Sequence, residues 1–328
     1  TDESGHGMYD YAPLPVGARI PPRKLMVLIR HSPRNVVSNA VSGSPDRYRT
    51  PENKNPLGFY YDVASFRSGD QDKTRVEIYL GIPYNMGRYD TDGRETRLDV
   101  TRTVALLNEA TGAVYRRQGE TRFRSKGDLT SRTAGFVPDV IRMEVPPGSY
   151  RMEIHATESR FKRQSRYRQE VVVPAYPTDG LKVSELELAW QVAEQGDVPE
   201  AFMKGDLSVV PMPTRTYGTG QPVYVYYEIY NLVRDGFGRT NYRVSYNVTP
   251  RESSESPGLI RGLMRIGRGK QETVGVTSDR QGTSAFEREY VALDMKAMRA
   301  GGLTLTVRVE DLNVGTPAEQ HATFSLSD

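Results

Sequence analysis

The chain has 328 residues, of which 37% are hydrophobic and 26% charged, and this composition is ordinary for a globular protein of about two domains. Its 44 basic and 41 acidic residues give a net charge of +3, so no overall field favours nucleic acid or an anionic membrane. The absence of cysteine excludes disulfides, thiolate metal sites and thiol nucleophiles.

The N-terminal residues 1–56 are predicted to form an extended, Pro-rich arm. Eight prolines in this segment would interrupt both helices and sheet ladders. The longest apolar run, residues 25–29, includes Leu25, Met26 and Leu28 and is far shorter than the roughly 18 residues that a membrane-spanning helix requires. We expect this run to pack on a domain as an edge strand or to anchor another protein, and we expect no transmembrane segment.

Residues 57–174 are predicted to form a first β domain. Short β-prone runs are separated by turn pairs such as Asp92-Gly93 and Pro147-Gly148, a pattern typical of antiparallel hairpins. The run TRVEIYLGIP at residues 74–83 alternates aliphatic with polar or aromatic side chains, as a strand with two different faces does.

Residues 175–204 are predicted to link the two domains. The apolar positions of LKVSELELAWQV, residues 181–192, recur with a period of two, which favours a bridging strand over a helix. Trp190 is the single tryptophan of the chain, and we expect it to be buried at the domain junction, with stacking on a ligand as the alternative.

Residues 205–328 are predicted to form a second β domain around QPVYVYYEIYNL at residues 221–232. One face of this strand is expected to be aliphatic, and the other, with Tyr224, Tyr226, Glu228 and Tyr230, to be partly exposed. Residues 293–300 are the best candidate for a short helix. Because the second domain repeats the strand pattern of the first, we predict an all-β protein of two tandem antiparallel β-sandwiches of the immunoglobulin or fibronectin kind.

Several strand and turn runs carry a resemblance to a known family. These runs are FYYDVASFR at residues 59–67, TRVEIYLGIP at 74–83, PPGSY at 146–150, LKVSELELA at 181–189 and the long run at 204–232. They resemble the β-rich C-terminal region of bacterial GWxTD-domain proteins, although the signature itself is absent, since Trp190 lies between Ala189 and Gln191. The resemblance implies tandem β-sandwiches in an exported bacterial protein and brings no activity with it.

The sequence contains no recognisable catalytic or metal-binding motif. His6, His31, His155 and His321 are scattered, and no Gly-x-Ser-x-Gly elbow is present. The run GLMRIGRGK at residues 262–270 lacks the Lys-Ser or Lys-Thr pair of a phosphate loop, and YDTDGRE at residues 89–95 fails the EF-hand spacing and favours a polar hairpin turn. We therefore predict that the protein is not an enzyme and binds no cofactor or metal.

The strongest local charge feature is RFKRQSRYR at residues 160–168, in which five basic residues alternate with two aromatic ones. It contains Arg160, Phe161, Lys162, Arg163, Arg166, Tyr167 and Arg168. A solvated hairpin tip is one interpretation. The other is a docking patch for an acidic protein surface or for lipid headgroups.

These features predict a non-enzymatic structural or scaffolding subunit. We expect it to dock through its arm and sandwich faces onto other protein subunits of a larger extracytoplasmic, membrane-bound assembly, for example a photosynthetic or respiratory complex or an envelope machine. Contact with the membrane surface is a further expectation, whereas nucleic acid is not an expected partner. The alternative is a glycan- or ligand-binding β-sandwich that uses Tyr224, Tyr226 and Tyr230, or a non-catalytic domain of a larger exported enzyme. We expect an exported, processed protein in the bacterial periplasm or at the cell surface.

Overall fold

The computed structural model describes residues 56–89, 95–130, 135–194, 198–251 and 274–327. This part of the chain is all-β, as predicted, and its only helical segments are two short 3-10 turns, Tyr84–Met86 and Glu200–Phe202. The first nine strands are β1 (Tyr60–Arg67), β2 (Thr74–Pro83), β3 (Arg88–Tyr89), β4 (Glu95–Leu107), β5 (Val114–Lys126), β6 (Phe136–Val145), β7 (Gly148–Glu158), β8 (Arg163–Val173) and β9 (Lys182–Val183). The remaining strands are β10 (Glu187–Glu194), β11 (Met203–Lys204), β12 (Leu207–Pro211), β13 (Thr216–Gly218), β14 (Val223–Tyr230), β15 (Thr240–Pro250), β16 (Val274–Gly282), β17 (Phe286–Leu293), β18 (Gly301–Asp311) and β19 (Thr316–Ser327).

The chain divides into two compact units that are interleaved along the sequence. Unit 1 comprises Thr1–Tyr176 and Ala189–Thr214, and unit 2 comprises Pro177–Leu188 and Arg215–Asp328. The predicted linker, residues 175–204, is therefore not a separate element. It contributes β9 to unit 2 and most of β10 to unit 1.

Unit 1 contains two main sheets that share one core. In the first, β2 lies between β1 and β6, and in the second the order is β3-β4-β7-β8 with β5 also paired to β4. Along β4 every second side chain is buried, among them Leu98, Val100 and Val104. These side chains and the Val76 and Ile78 side chains of β2 belong to the same hydrophobic core, so the core lies between the two sheets.

The pairing order of unit 1 recurs in unit 2. Strand β14 pairs with β9 and β17, as β2 pairs with β1 and β6. The ladder β16-β15-β18-β19 has the same order as β5-β4-β7-β8, and β13 adds a parallel pairing to β19. The two units therefore correspond in the order of these ladders.

The short helix predicted at residues 293–300 is wrong. Strand β17 continues to Leu293, and the chain then turns, because the Asp294 carboxylate accepts the Lys296 N–H at 3.0 Å and Met298 N–H donates to the Met295 carbonyl at 2.9 Å. The Met295 and Met298 side chains are both buried, so this segment closes unit 2 without a helix.

The bridging strand was predicted correctly in type but not in detail. Its period-two pattern corresponds to β10, and a register shift between Ala189 and Gln191 places Trp190 at a β-bulge opposite β12. The Trp190 side chain is half-buried rather than buried. The bulge explains the difference, because an extra residue interrupts the alternation of inward and outward side chains.

Candidate functional site

The basic aromatic segment forms the hairpin between β7 and β8. The ladder ends at the pair Glu158 and Arg163, which leaves a four-residue turn, residues 159–162. The buried Glu158 carboxylate closes this turn, because it accepts the Arg160 N–H at 3.0 Å and the Phe161 N–H at 2.8 Å. Lys162 completes the turn in the left-handed region, with φ of 51°. The turn is thus held by a buried carboxylate.

The side chains of residues 160–162, which we call the unit 1 tip, point into solvent. The Phe161 ring is 43% exposed, and its neighbours Arg160 and Lys162 are exposed as well. The Arg163 guanidinium lies 4.8 Å from the centre of the Phe161 ring and donates to the Met86 carbonyl at 3.1 Å. An arginine tied to the body of the unit therefore supports the exposed ring.

The rest of the predicted patch does not belong to this tip. Strand alternation turns Tyr167 into the core, where it is 3% exposed and its ring centre lies 4.6 Å from that of Phe59. Arg166 and Arg168 point outward but form ion pairs with the two oxygens of Glu153, each at 3.2 Å. The expectation that Tyr167 is a surface contact is therefore wrong, and the exposed segment is reduced to the tip. Leu25, Met26 and Leu28 lie outside the described residues.

Unit 2 has an equivalent turn between β18 and β19. The ladder ends at Asp311 and Thr316, again leaving four residues, and Gly315 has φ of 71° at the position that Lys162 occupies in unit 1. The buried Asp311 carboxylate accepts the Asn313 N–H at 2.9 Å. Both units therefore close this hairpin with a buried acid at the end of the first strand. Sequence reasoning missed this similarity, because Glu158 and Asp311 were not distinguishable from ordinary polar turn residues.

A buried ion cluster surrounds Glu77 on β2. Glu77 Oε2 is 2.8 Å from Lys204 Nζ, and Oε1 is within 3.2 Å of both Arg75 Nε and Arg142 Nε. The Tyr79 hydroxyl also donates to Oε2, at 3.1 Å. Burial alone would raise the pKa of Glu77, but Lys204, Arg142 and Arg75 together hold this pKa at about 2. A carboxylate held ionised in this way stabilises the fold and is a poor proton donor near neutral pH.

A second buried ion pair joins the two main sheets of unit 1. Arg102 on β4 binds Asp139 on β6 through Nε and through Nη2, the latter at 2.9 Å from Oδ1, and the Thr121 hydroxyl donates to Oδ2 at 2.5 Å. Burial raises the pKa of Asp139, and Arg102 and Thr121 oppose this change. The guanidinium has room only because Gly119 lies opposite Arg102 in the ladder, where a Cβ would be 2.6 Å from Nη1.

The tyrosine row of β14, which was expected to be partly exposed, is largely buried. Tyr226 and Tyr230 are at most 1% exposed, and only Tyr224 is partly accessible. Burial is possible because Glu228 lies between them and accepts the Tyr226 hydroxyl at 2.8 Å and the Tyr230 hydroxyl at 2.5 Å. These rings cannot stack on a glycan, so the observation that suggested the ligand-binding alternative is lost.

The remaining sequence candidates occupy ordinary structural positions or lie outside the described residues. His155 on β7 and His321 on β19 are strand residues that contact Gln164 and Thr306, respectively. The 89–95 turn, the 262–270 run, His6 and His31 fall wholly or mainly outside the described ranges. Within those ranges no group of three or more His, Asp or Glu side chains is placed to hold a metal ion, and no helix has the length and apolar character needed to cross a bilayer.

Comparison with known proteins adds a distant structural likeness. No family model and no curated protein matches the chain. Among solved structures, the native conformation of Escherichia coli alpha-2-macroglobulin aligns with a TM-score of 0.30 and 11% identity. The alignment covers 81% of this chain and 25% of that protein, so the chain spans about a quarter of its length.

Proposed function

We propose that this protein is a non-enzymatic structural subunit that docks onto a larger extracytoplasmic, membrane-bound assembly in the bacterial periplasm or at the cell surface. In this proposal each unit is an immunoglobulin- or fibronectin-like β-sandwich, and the assembly is of the kind represented by photosynthetic or respiratory complexes and envelope machines. The unit 1 tip is the docking element within the described residues, and residues 1–56 add a second contact.

The observation that supports the proposal is an exposed aromatic ring on a preorganised turn. Aromatic and arginine side chains supply much of the binding energy at protein interfaces. The unit 1 tip presents both kinds of side chain, because Arg163 lies against the Phe161 ring. Glu158 fixes the backbone beneath the ring. A turn fixed before binding loses little conformational entropy when it docks, which favours affinity.

The charge of the tip supports an acidic partner surface. Arg160 and Lys162 form no ion pair with any residue in the described ranges, whereas Arg166 and Arg168 are already paired with Glu153. Two unpaired cations on either side of Phe161 create a local positive field on a nearly neutral chain. Charges at the rim of an interface steer association more than they add affinity.

The experiment compares two triple variants of the full chain in binding to solubilised bacterial envelope membranes. The tip variant is Arg160→Ser, Phe161→Ser, Lys162→Ser. The matched control is Val114→Ser, Arg116→Ser, Arg117→Ser on β5, which also removes one exposed apolar and two exposed basic side chains from unit 1. We expect the wild type and the control to retain the same stoichiometric partner.

The expected change for the tip variant is association slower by about tenfold, with a weaker dependence on salt. Equal association rates for the two variants would remove the tip from the proposal. Sedimentation of the wild type as a monomer without a retained partner, or turnover of a substrate by the purified protein, would refute the structural role itself.

The arm has a separate kinetic signature. If residues 1–56 supply buried contact area, their deletion should raise the dissociation rate and leave the association rate nearly unchanged. The same membrane-binding measurement tests this with the deletion and the tip variant side by side. A deletion that slows association without changing dissociation would contradict the assigned role of the arm.

A further inference from the structure

Unit 2 concentrates exposed apolar side chains on two neighbouring loops. Eight large apolar side chains are exposed in the described residues, and four of them lie on the loop between β14 and β15 or on the turn between β18 and β19. They are Phe237 at 85%, Val314 at 53%, Val233 at 43% and Leu312 at 39%. We call these four side chains the unit 2 apolar tip. Single exposed apolar residues are common, but four on two adjoining loops form a patch.

Asp311 and Asn313 fasten the two loops to each other. The Asp311 carboxylate accepts the Val233 N–H at 2.7 Å as well as the Asn313 N–H at 2.9 Å. The Asn313 amide donates to the carbonyls of Val233 at 2.8 Å and Arg239 at 3.0 Å. The four apolar side chains are therefore carried by one hydrogen-bonded platform.

The Phe237 loop has its own internal support. The Asp235 carboxylate accepts the N–H groups of Phe237 and Arg239, both at 2.9 Å, and the Arg239 guanidinium lies 5.0 Å from the centre of the Phe237 ring. Gly236 and Gly238 flank the ring without side chains of their own, and Gly238 has φ of 79°. The largely exposed ring thus projects from the loop with the Arg239 guanidinium over it.

The backbone bonding of these loops suits a low-dielectric environment. Outside water, an unpaired N–H or carbonyl costs several kcal/mol, so irregular loops enter such a region only when their polar groups are satisfied. Here Asp235, Asp311 and Asn313 bond several backbone groups of the two turns from within, and Leu312 N–H donates to the Asn241 carbonyl at 2.8 Å. These backbone groups therefore keep their hydrogen bonds when the loops leave water.

One exposed cation beside the apolar tip has no ion-pair partner within the described ranges. The ionisable residues of the two loops are Arg234, Asp235, Arg239 and Asp311. Both arginines are exposed, but Arg239 is ion-paired with the partly exposed Asp235 at 3.1 Å, and Asp311 is fully buried. Arg234 forms no ion pair within the described ranges, so its guanidinium is available to an external anion beside the apolar side chains.

We infer that the unit 2 apolar tip inserts into the headgroup and acyl boundary of a lipid bilayer. Phe237 enters deepest, Val233, Leu312 and Val314 follow, and Arg234 contacts a lipid phosphate. Projecting apolar side chains flanked by arginines match an interface where apolar and anionic groups lie a few ångströms apart. The inference deepens the proposed docking on a membrane-bound assembly by adding a direct lipid contact.

The test places a reporter at the deepest position. Phe237→Trp is made in a Trp190→Phe background, so that the reporter is the only tryptophan, and is mixed with protein-free vesicles of phosphatidylcholine and phosphatidylglycerol. The matched control places tryptophan at Val276, an exposed residue on β16 of the same unit. We expect a blue shift and quenching by brominated lipid for position 237 and neither for position 276.

Affinity gives the second readout. Phe237→Ser should weaken vesicle binding by about tenfold or more, because the variant loses the free energy gained by burying a phenylalanine side chain. Because Phe237 is so exposed, this variant should retain the wild-type circular dichroism and unfolding curve. Replacing the anionic lipid by phosphatidylcholine alone should weaken binding further.

Three outcomes would overturn the inference. They are the absence of vesicle binding, equal emission changes at positions 237 and 276, and an emission change that requires a membrane protein in the vesicles. The last would assign the apolar tip to a protein contact. None of them bears on the unit 1 tip, since its variants are tested against solubilised protein, so failure of the lipid contact leaves the proposed docking intact.

Discussion

The ammonium group of Lys204 lies 2.8 Å from Oε2 of Glu77, although 127 residues separate the two along the sequence. The same ammonium lies 3.8 Å from the centre of the Phe66 ring. Lys204 and Glu77 are both buried, so each depends on the other to remain charged away from water. This pair ties the late strands of unit 1 to β2.

Lys204→Met should lower the free energy of unfolding of unit 1 by about 3–5 kcal/mol, because it leaves the buried Glu77 carboxylate without its nearest cation. Urea unfolding followed by the fluorescence of Trp190, which lies in unit 1, measures this change. Lys126→Met on β5 is the control, since Lys126 is exposed, and should change the free energy by less than about 0.5 kcal/mol.

The double variant Glu77→Leu, Lys204→Met should recover most of the stability lost by Lys204→Met alone. Removal of both charges leaves no buried ion to desolvate, and apolar replacements of buried ion pairs are often neutral. If the double variant is as unstable as the single variant or worse, packing rather than charge explains the effect of Lys204.

Glu77 should also make unit 1 sensitive to acid. Its pKa is lowered from 4.5 to about 2 by the cations that outweigh its burial, so its stabilising contribution is complete above its unfolded pKa and lost as the pH falls towards the folded pKa. Glu77→Gln should cost on the order of 3 kcal/mol at neutral pH, and the difference from wild type should shrink as the pH falls from about 4.5 to about 2. A difference that is constant over this range would contradict the assignment.

Gly119→Ala should destabilise unit 1 by about 1–3 kcal/mol, because the new methyl group would meet a guanidinium that Asp139 holds in place. Trp190 fluorescence during urea unfolding gives the value. Gly69→Ala is the matched control, since nothing lies within 4 Å of a Cβ there. Equal effects at the two glycines would show that Arg102 can move aside.

Unit 2 should lose stability in alkali through its buried tyrosines. Burial raises the pKa of Tyr246 from 10.0 to about 12, although the hydrogen bond with Tyr227 lowers it in part. A raised folded pKa means that the stabilising contribution is present below the unfolded pKa and lost as the pH rises through the folded value. Tyr246→Phe should therefore make the decline between about pH 10 and pH 12 shallower by about 1.4 kcal/mol per pH unit.

Urea unfolding followed by circular dichroism tests this prediction, with Trp190 fluorescence identifying the transition of unit 1. Ultraviolet absorbance of tyrosinate gives an independent check, because the buried hydroxyls should ionise only as unit 2 unfolds. An unchanged slope in Tyr246→Phe would mean that Tyr246 is not among the groups that couple unfolding to pH.

The regular parts of the fold could be predicted from local pattern, and the buried polar contacts could not. Period-two runs identified β2, β10 and β14. The pattern placed Tyr226 and Tyr230 on an outer face because each has a polar hydroxyl. A strand pattern does not show that Glu228 lies between them and accepts both hydroxyls.

The candidate sites show the same limit. Charge composition identified the hairpin that carries Arg160 and Lys162. It could not show that Arg166 is paired with Glu153, because Glu153 lies on the neighbouring strand. The Phe237 loop was missed, although a large apolar residue between Gly236 and Gly238 is an available signal. The sequence does not show that this loop is held by Asp311 and Asn313, which lie more than seventy residues later in the chain.

The interleaved arrangement of the two units also sets an order of events during synthesis. A ribosome that has released the chain through Tyr176 has not yet supplied Ala189–Thr214, which carry part of β10 together with β11 and β12 of unit 1. Until then, Glu77 has no Lys204 to pair with. Unit 1 therefore cannot finish folding before the first residues of unit 2 have been synthesised. A single cut after Thr214 would leave all of unit 1 in one fragment, but that fragment would also carry Pro177–Leu188, with β9, away from the rest of unit 2.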